Sequence, residues 1–597
     1  MGLYPSALLL ALSFVVYLFY KRWARVSFPH IPGPESRSWS LGIGFVHFAI
    51  LHIQSTITIG NMGELLQSEA ALTDFKWQEL YGNVVRFKAP LNNDRLLISD
   101  PKALQYILQT SGYKWQKLPE RRELSRLSSG KGILWSDGDV HKRHRKVMLP
   151  GFGFPEIRNF VPIFFSCAKS MSAKWRDLIT ANADQPIIID IPESVSRVTM
   201  DAVGRGMLDT RFHFGNCIYR SRSSAAFDYE FGAVEDDHNE LKEAFRNIIH
   251  AAFGSPSDGV IIGLDAAQYL PTIVLEAITN NISNKRLEPL RRAAAAADKI
   301  SKELIDMKAA DLLEGKSKKD IMSILVKANA SENPKARLSD TEMIAQMRNL
   351  ILAGHETVAN SITWTMLELS RHPEMQTKLR KEIQETEHKL GAQGKVEFTA
   401  HDLETMSYLN AVVKVLLSLF ILKIMLKWEL QETLRFHPVI MHMFRGAVQD
   451  DVLPLSKPVT TTTGKIITEL PVPKGTRVVI SMHAYNRDKE IFGEDAHTYN
   501  PDRWLTPGHV KTSVPLGVYA NLATFSAGVR SCIGWRFAVV ELQTLLVEMI
   551  RNFEFSKTPE IDKVHRAASF AMIPVIEGEV EKGIQLPLKV GFAPRED

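Results

Sequence analysis

"FSAGVRSCIG", residues 525–534, decides how this chain is read. It holds Cys532, one of 3 cysteines in 597 residues, with Gly528 and Gly534 on either side, Arg530 two positions before it and Phe525 seven before it. Glycine lets the backbone bend and approach another group closely. Arg530 brings a permanent positive charge that favours a thiolate and can pair with an anion. A helical pattern, "RFAVVELQTLLVEMIRNF", starts just after the cysteine, and the amide dipoles at a helix start favour a thiolate too. Most lone cysteines are ordinary buried thiols. A bent, glycine-flanked thiolate at a helix N-terminus is instead a nucleophile or a metal ligand.

The other cysteines, Cys167 and Cys217, are far from Cys532 and from each other, so there is no disulfide framework and no CxxC metal motif. They fit a reducing compartment. With 45% hydrophobic and 23% charged residues the composition is globular. No linker, repeat or low-complexity run divides it, which argues for one large domain with additions. A net charge of +5 without a basic, aromatic-interleaved stripe excludes nucleic acid as a partner. Gly2 to Tyr20 carry no charge, and as a helix they would span about 28 Å, close to a bilayer core. Residues 2–20 are therefore expected to be a transmembrane anchor. Lys21, Arg22 and Arg25 follow and put the bulk of the chain on the cytoplasmic side. Residues 21–34 are this basic flank plus a stiff hinge at "IPGP". A cleaved signal peptide is the alternative, although no basic residue precedes the apolar run and no A-x-A site follows it.

Residues 75–110 predict a helix and then strands, with the two apolar runs of "VVRFKAPLNNDRLLISD" (84–100) around an Asn-Asn-Asp turn. Helical patterns dominate from there to residue 440. The longest, "LSDTEMIAQMRNLILAGHETVANSITWTMLELSRHP" (338–373), opens on a Ser339–Glu342 capping box and ends at His372-Pro373. Short strands return at 466–482. The fold class is mainly α with a small β region.

Phe525-x-x-Gly528-x-Arg530-x-Cys532-x-Gly534 resembles, at every fixed position, the haem-binding loop of the cytochrome P-450 family. The resemblance implies a haem cofactor (iron protoporphyrin IX) with Cys532 as axial ligand of its iron, Phe525 beside the thiolate and Arg530 on a haem propionate. It covers the chain from "IPGP" onward and makes residues 35–597 a single catalytic domain.

Three weaker motifs gain meaning from it. Glu432 and Arg435 of "ETLR" stand three apart on one helix face, and such a pair is by itself most often a solvated ion pair. With Arg503 of "PDRW" they become, by resemblance, a buried Glu-Arg-Arg network around the haem, Trp504 standing where the family has Phe. In "AGHET" (353–357), Gly354 costs a helix about 1 kcal/mol relative to Ala, and Glu356 sits among apolar neighbours. Alone this reads as a kink with a solvated Glu. By resemblance it is a groove over the haem in which Glu356 and Thr357 relay protons through water. "HKRHR" (141–145) is alone a solvated basic face. The resemblance makes His141 and Arg145 propionate ligands, Arg445 a third, and the remaining basic residues a docking face for an acidic redox partner.

The implied enzyme is a haem-thiolate monooxygenase, single-pass in the endoplasmic reticulum membrane with its catalytic domain in the cytosol. NADPH-cytochrome P-450 reductase is the implied electron donor, with cytochrome b5 as a second candidate. O2 and a lipophilic small molecule are the substrates. "IPGPESRSW" and "FSAGVRSCIGWRFAVVE" resemble membrane-bound fungal members, which points to secondary metabolism on a terpenoid-like compound, or to xenobiotic oxidation. Two alternatives stay open: a haem-thiolate isomerase or peroxygenase that needs no reductase, and a non-catalytic haem protein or impaired gene product.

The last alternative arises from three segments that depart from the family: 43–60, 206–224 and 415–431. In each case the flanks read as continuous family sequence if joined. The third is apolar with no clear face where an amphipathic helix should run. As helix it would rotate Glu432 by roughly 260° relative to Asn410–Lys414, and looped out it would expose a greasy excursion. All three are expected to be short introns translated in frame, lying as peripheral excursions outside the haem pocket; genuine loops are the other reading.

Overall fold

The computed structural model describes residues 26–35, 59–207, 252, 254–315, 321–329, 337–395, 397–409, 432–511, 513–568 and 571–594. The expected anchor, Lys21 to Arg25, Cys217 and nearly all of the three divergent segments lie outside the described residues. Among the described residues no helix is long and apolar enough to cross a membrane. The chain divides into two compact units.

The smaller unit comprises the described residues up to Glu123, Ser255–Ile282 and His442–Ala484. Its centre is a five-stranded sheet in the order Val84–Ala89, Asn93–Ile98, Arg477–Ser481, His442–Ala447, Trp115–Gln116. Only the Asn93–Ile98 and Arg477–Ser481 strands pair in parallel. The first two strands bury Val84, Val85, Phe87 and Leu96 to Ile98, residues that suit a pleated, packed surface. Their turn lies earlier than the sequence suggests. It is Pro90–Asn92, with Asn93 already opposite Ala89 in the ladder. Asn92 takes φ 61°, a left-handed conformation that Asn tolerates. Asp94 belongs to the strand, where it accepts the Phe28 N–H at 2.7 Å and pairs with Lys88. A second hairpin joins Asp451–Thr460 to Ile466–Val472, with a register shift between Pro454 and Val459. The first of these strands escapes sequence reading because Pro454 and Pro458 remove ladder donors.

The larger unit holds the other described residues and is mainly helical. Its axis is helix Asp340–Arg371, hereafter the central helix, opened by Ser339 and Glu342 in a reciprocal capping box and capped at His372. It packs against helices Ile191–Met207, Leu287–Leu313 and Trp535–Asn552. A helix apolar on every side belongs inside, and from Asn349 to Ser370 this one is buried except at Leu352, Ala353, Gly354 and Thr357. Thr357, Ser361, Thr363 and Thr365 satisfy their hydroxyls on the carbonyl four residues back. A three-stranded antiparallel sheet, Ile187–Asp190, Pro587–Phe592 and Phe553–Lys557 in that order, belongs to the same unit.

Candidate active site around Cys532

The cysteine loop is closed by its own backbone. The Cys532 N–H donates to the Phe525 carbonyl at 2.9 Å, and the Ser531 N–H to the Gly528 carbonyl at 3.1 Å. Gly528 has φ 65°, which side-chain-bearing residues rarely adopt. Gly534 has no such need: its φ is −93°, and an added Cβ would meet the Phe152 ring at an ordinary 3.5 Å. Ser526 carries the loop's strain, with φ 57° and ψ −168°, a region normally reserved for glycine. Helix Trp535–Asn552 begins directly after Gly534.

Solvent reaches the Cys532 side chain. Protein nevertheless crowds it so closely that burial pushes the thiol up to about 11, against a hydrogen bond from the Gly534 backbone and the nearby charge of Arg145, which pull it down. Desolvation thus works against the influences that favour a thiolate. The cation at the sulfur is Arg145, not Arg530. Arg530 donates through Nε to Asp137 at 2.7 Å and again through its terminal nitrogen. Phe525 is half-buried and packs edge-on to Tyr519, ring centroids 5.6 Å apart.

Helix Gly138–Met148 braces this loop at two points. Asp137 precedes it and holds Arg530. Arg145, near its end, donates to the Ser531 carbonyl at 2.7 Å and to the Ser531 hydroxyl at 3.0 Å. His141, one turn before Arg145, is buried. Arg143 and His144 reach Glu342 at the start of the central helix, at 2.9 Å each. In the basic stretch 141–145, Lys142 alone has a largely exposed charge, and it pairs with Asp139. Arg445 belongs to the smaller unit, opposite Val478 in the sheet, where it donates to the Phe444 carbonyl at 2.9 Å.

Glu432, Arg435 and Arg503 are brought together with almost no exposure. The Glu432 carboxylate takes five donors: Arg435 Nε at 2.8 Å and its terminal nitrogen at 2.6 Å, Arg503 Nε at 3.1 Å, Trp504 Nε1 at 2.9 Å and the Asn500 N–H at 2.8 Å. Burial pushes this carboxyl up, but Arg435, Arg503 and the hydrogen bonds outweigh it and leave it below the ordinary value. Arg503 also grips the Asp495 carboxylate at 2.7 Å, and Asp495 is lowered to about 2. Sequence reading missed two members. Trp504 is not a passive replacement, since its indole N–H is a donor that Phe lacks. Asp495 carries the charge that balances the second guanidinium, and no local pattern marks it.

Glu356 and Thr357 lie on adjacent faces of the central helix, about 100° apart. Thr357 is half-exposed beside Ala353 and Gly354, and its hydroxyl donates to the Ala353 carbonyl at 2.8 Å. Glu356 is buried, 3.4 Å from His355 Nε2, and lines a cavity on its own side.

A sequence model of the family described as Cytochrome P450 matches residues 54–417 and 424–576 of this chain. The chain belongs to the cytochrome P-450 family. Its relatives include cytochrome P450 monooxygenase claQ of Ampulloclitocybe clavipes, 30% identical over 86% of this chain and 87% of that protein. Cytochrome P450 monooxygenase 205 of Postia placenta is 29% identical over 94% of this chain and 92% of its own length. Family membership makes the chain an oxidoreductase with haem iron as cofactor. The residues present fit such a cytochrome P-450. One sulfur accessible to solvent receives a backbone hydrogen bond and stands beside a cation, at a turn that only glycine adopts freely. No cluster of His, Cys, Asp and Glu among the described residues offers a competing metal site. The second described cysteine, Cys167, is buried and its thiol is pushed up to about 12 by burial. The break in the family match at 418–423 falls inside 415–431, whereas 206–224 lies within the match.

Proposed function

We propose that this protein inserts one oxygen atom of O2 into a lipophilic organic compound, using electrons from NADPH passed on by a flavoprotein reductase, with Cys532 as the axial ligand of haem iron. The observation that carries this reading is the Cys532 sulfur itself, open to solvent, hydrogen-bonded by Gly534 and beside Arg145. Bound haem supplies O2 activation at an iron made electron-rich by the sulfur. The chain supplies the setting. Arg145 steadies the loop through Ser531 and, with His141 and Arg530, provides positive charge for the haem propionates. For Arg530 this means sharing its bond to Asp137. Thr357 holds water on the half-exposed face of the central helix, and the buried Glu356 delivers protons to that water.

The same reading extends to a terpenoid-like compound of fungal secondary metabolism as substrate, or a xenobiotic, with cytochrome b5 as an auxiliary donor. The fungal monooxygenases among its relatives support the class. Residues 2–20 anchor the protein in the endoplasmic reticulum membrane with the catalytic domain in the cytosol; their uncharged, apolar run supports this. Deleting residues 1–25 should then release the protein into salt extracts with its haem spectrum intact. Segments 43–60, 206–224 and 415–431 are translated introns, which sequencing of the mature messenger RNA checks.

The direct test is turnover of the full chain with reductase, NADPH and isotopically labelled O2 on a panel of lipophilic compounds. The reading requires one labelled oxygen in the product and none without the reductase. Product formed only from added peroxide contradicts it.

A further inference from the structure

The face of the central helix that carries Glu356 opens into a cavity of 390 Å³, a size that small-molecule sites share. Its other wall is helix Ile191–Met207 with Asp190 just before it. Carboxylates stand on both walls: Glu356 on the central helix, Asp190 and Glu193 at the start of the facing one. The chain gives only one of them a lysine or arginine. Arg197 pairs with Glu193 at 2.7 Å, and Lys582, the other such cation of the lining, pairs with Glu579 at 2.9 Å. Asp190 accepts the Leu586 N–H at 2.7 Å, and Glu356 stands 3.4 Å from His355 Nε2; neither meets a lysine or arginine among the described residues. Burial pushes the Asp190 carboxyl up, and the like charge of Glu193 adds to it, which marks an acid short of positive charge.

A second observation does not depend on charge. Asn360 lies four residues beyond Glu356 on the same helix face and lines the same cavity. It is 2% exposed, and neither its amide oxygen nor its amide nitrogen has a hydrogen-bond partner. A buried amide left this way is costly, and a group that both donates and accepts relieves it. Much of the remaining lining is apolar: Pro192, Met200, Ala359, Ile584 and Pro587. Water gains little there, whereas a carbon body covers that surface. Nor do the acids converge as metal ligands do; among the described residues no group of His, Cys, Asp and Glu could hold a metal ion.

We propose that this cavity is a binding site for a small amino alcohol, whose ammonium donates to Asp190 and Glu356, whose hydroxyl bonds the Asn360 amide and whose carbon body rests on Met200 and Ile584. The proposed oxidation takes a lipophilic compound, so this ligand is not its substrate, and the site stands whether or not Glu356 delivers protons.

The test is calorimetric titration of the full-length, haem-loaded protein with aminocyclohexanol, amine and hydroxyl on neighbouring carbons, and with cyclohexanol and cyclohexylamine, which each lack one of the two groups. The Soret band is followed in parallel, because an amine also ligates haem iron. Aminocyclohexanol should bind saturably at one site that leaves the Soret band in place. Cyclohexanol should bind about tenfold more weakly, the worth of a hydrogen bond to a charged group, and cyclohexylamine about fivefold more weakly, the worth of a neutral one. Asp190→Asn keeps an oxygen for the Leu586 N–H; it should weaken aminocyclohexanol about tenfold and leave cyclohexanol unchanged. Asn360→Leu should weaken aminocyclohexanol about fivefold and leave cyclohexylamine unchanged. Ser196→Phe fills the space from the facing helix and should abolish binding of all three, and it serves if either other variant does not fold. A crystal structure of the complex should show the compound in the cavity. Binding only at the haem, a cavity that takes up water alone, cyclohexanol binding as tightly as aminocyclohexanol, or affinity unchanged in Ser196→Phe would each overturn the proposal.

Discussion

Replacing Glu432 by Gln keeps the volume and removes one charge from a buried ionic cluster of the larger unit. Two guanidinium groups, Arg435 and Arg503, face two carboxylates, Glu432 and Asp495, and the substitution leaves two positive charges against one. Breaking a buried pair in this way costs about 3–5 kcal/mol. Geometry adds to the charge argument. One Glu432 oxygen accepts three donors and the other two. Whichever end becomes the amide nitrogen, at least two N–H groups point at an N–H2. Because the folded-state carboxyl lies below its ordinary 4.5, its contribution is present above that value and is lost as pH falls through the folded-state value. The gap between wild type and Glu432→Gln should therefore be full at pH 7 and narrow below about pH 4.5. Urea unfolding followed by tryptophan fluorescence, with the reduced-CO band as a check on haem retention, measures it. A difference under about 0.5 kcal/mol at pH 7, with the slope unchanged, would refute the reasoning.

Ser526→Gly should stabilise the protein by about 1 kcal/mol, the relief of a strained φ less the added freedom of the unfolded chain, read as a shift in urea midpoint. Glu541 is fully buried with both carboxyl oxygens unpartnered, and burial holds it well above 4.5. Its folded form is protonated, so wild type should lose stability relative to Glu541→Gln as pH rises above 5, by about 1.4 kcal/mol per pH unit until the folded-state value is reached. A gap that does not vary between pH 5 and pH 8 would count against this. Thr357→Ala should keep the haem spectrum and NADPH consumption but divert electrons to peroxide; unchanged coupling would remove its role in proton delivery.

What the sequence made legible was local. The central helix could be bounded to the residue because a capping box and a His-Pro stop act within a few positions. The cysteine loop was legible because its glycine, arginine and cysteine lie within one short turn. Pairings across long separations were not. Asp137, inside "WSDGDV", looks like an ordinary turn residue, yet it holds Arg530 across 393 positions. Asp495 and the donor role of Trp504 became visible only once Glu432 was placed in the interior. The desolvation of the cysteine was hidden for a related reason. Neighbours in sequence announce charge, while burial is decided by the whole fold, and here burial is the larger effect. Glu356 and Thr357 are adjacent in sequence, but a helix sets them about 100° apart, Thr357 on a half-exposed face and Glu356 buried beside the cavity it lines.

The central claim is that Cys532 supplies the sulfur to haem iron, and the reduced-CO spectrum tests it most directly. The full chain should give the band of thiolate-ligated haem. Cys532→Ala should abolish that band, and Cys532→His should retain haem but move the band to the position of nitrogen-ligated haem. Either variant keeping the thiolate band would contradict the account.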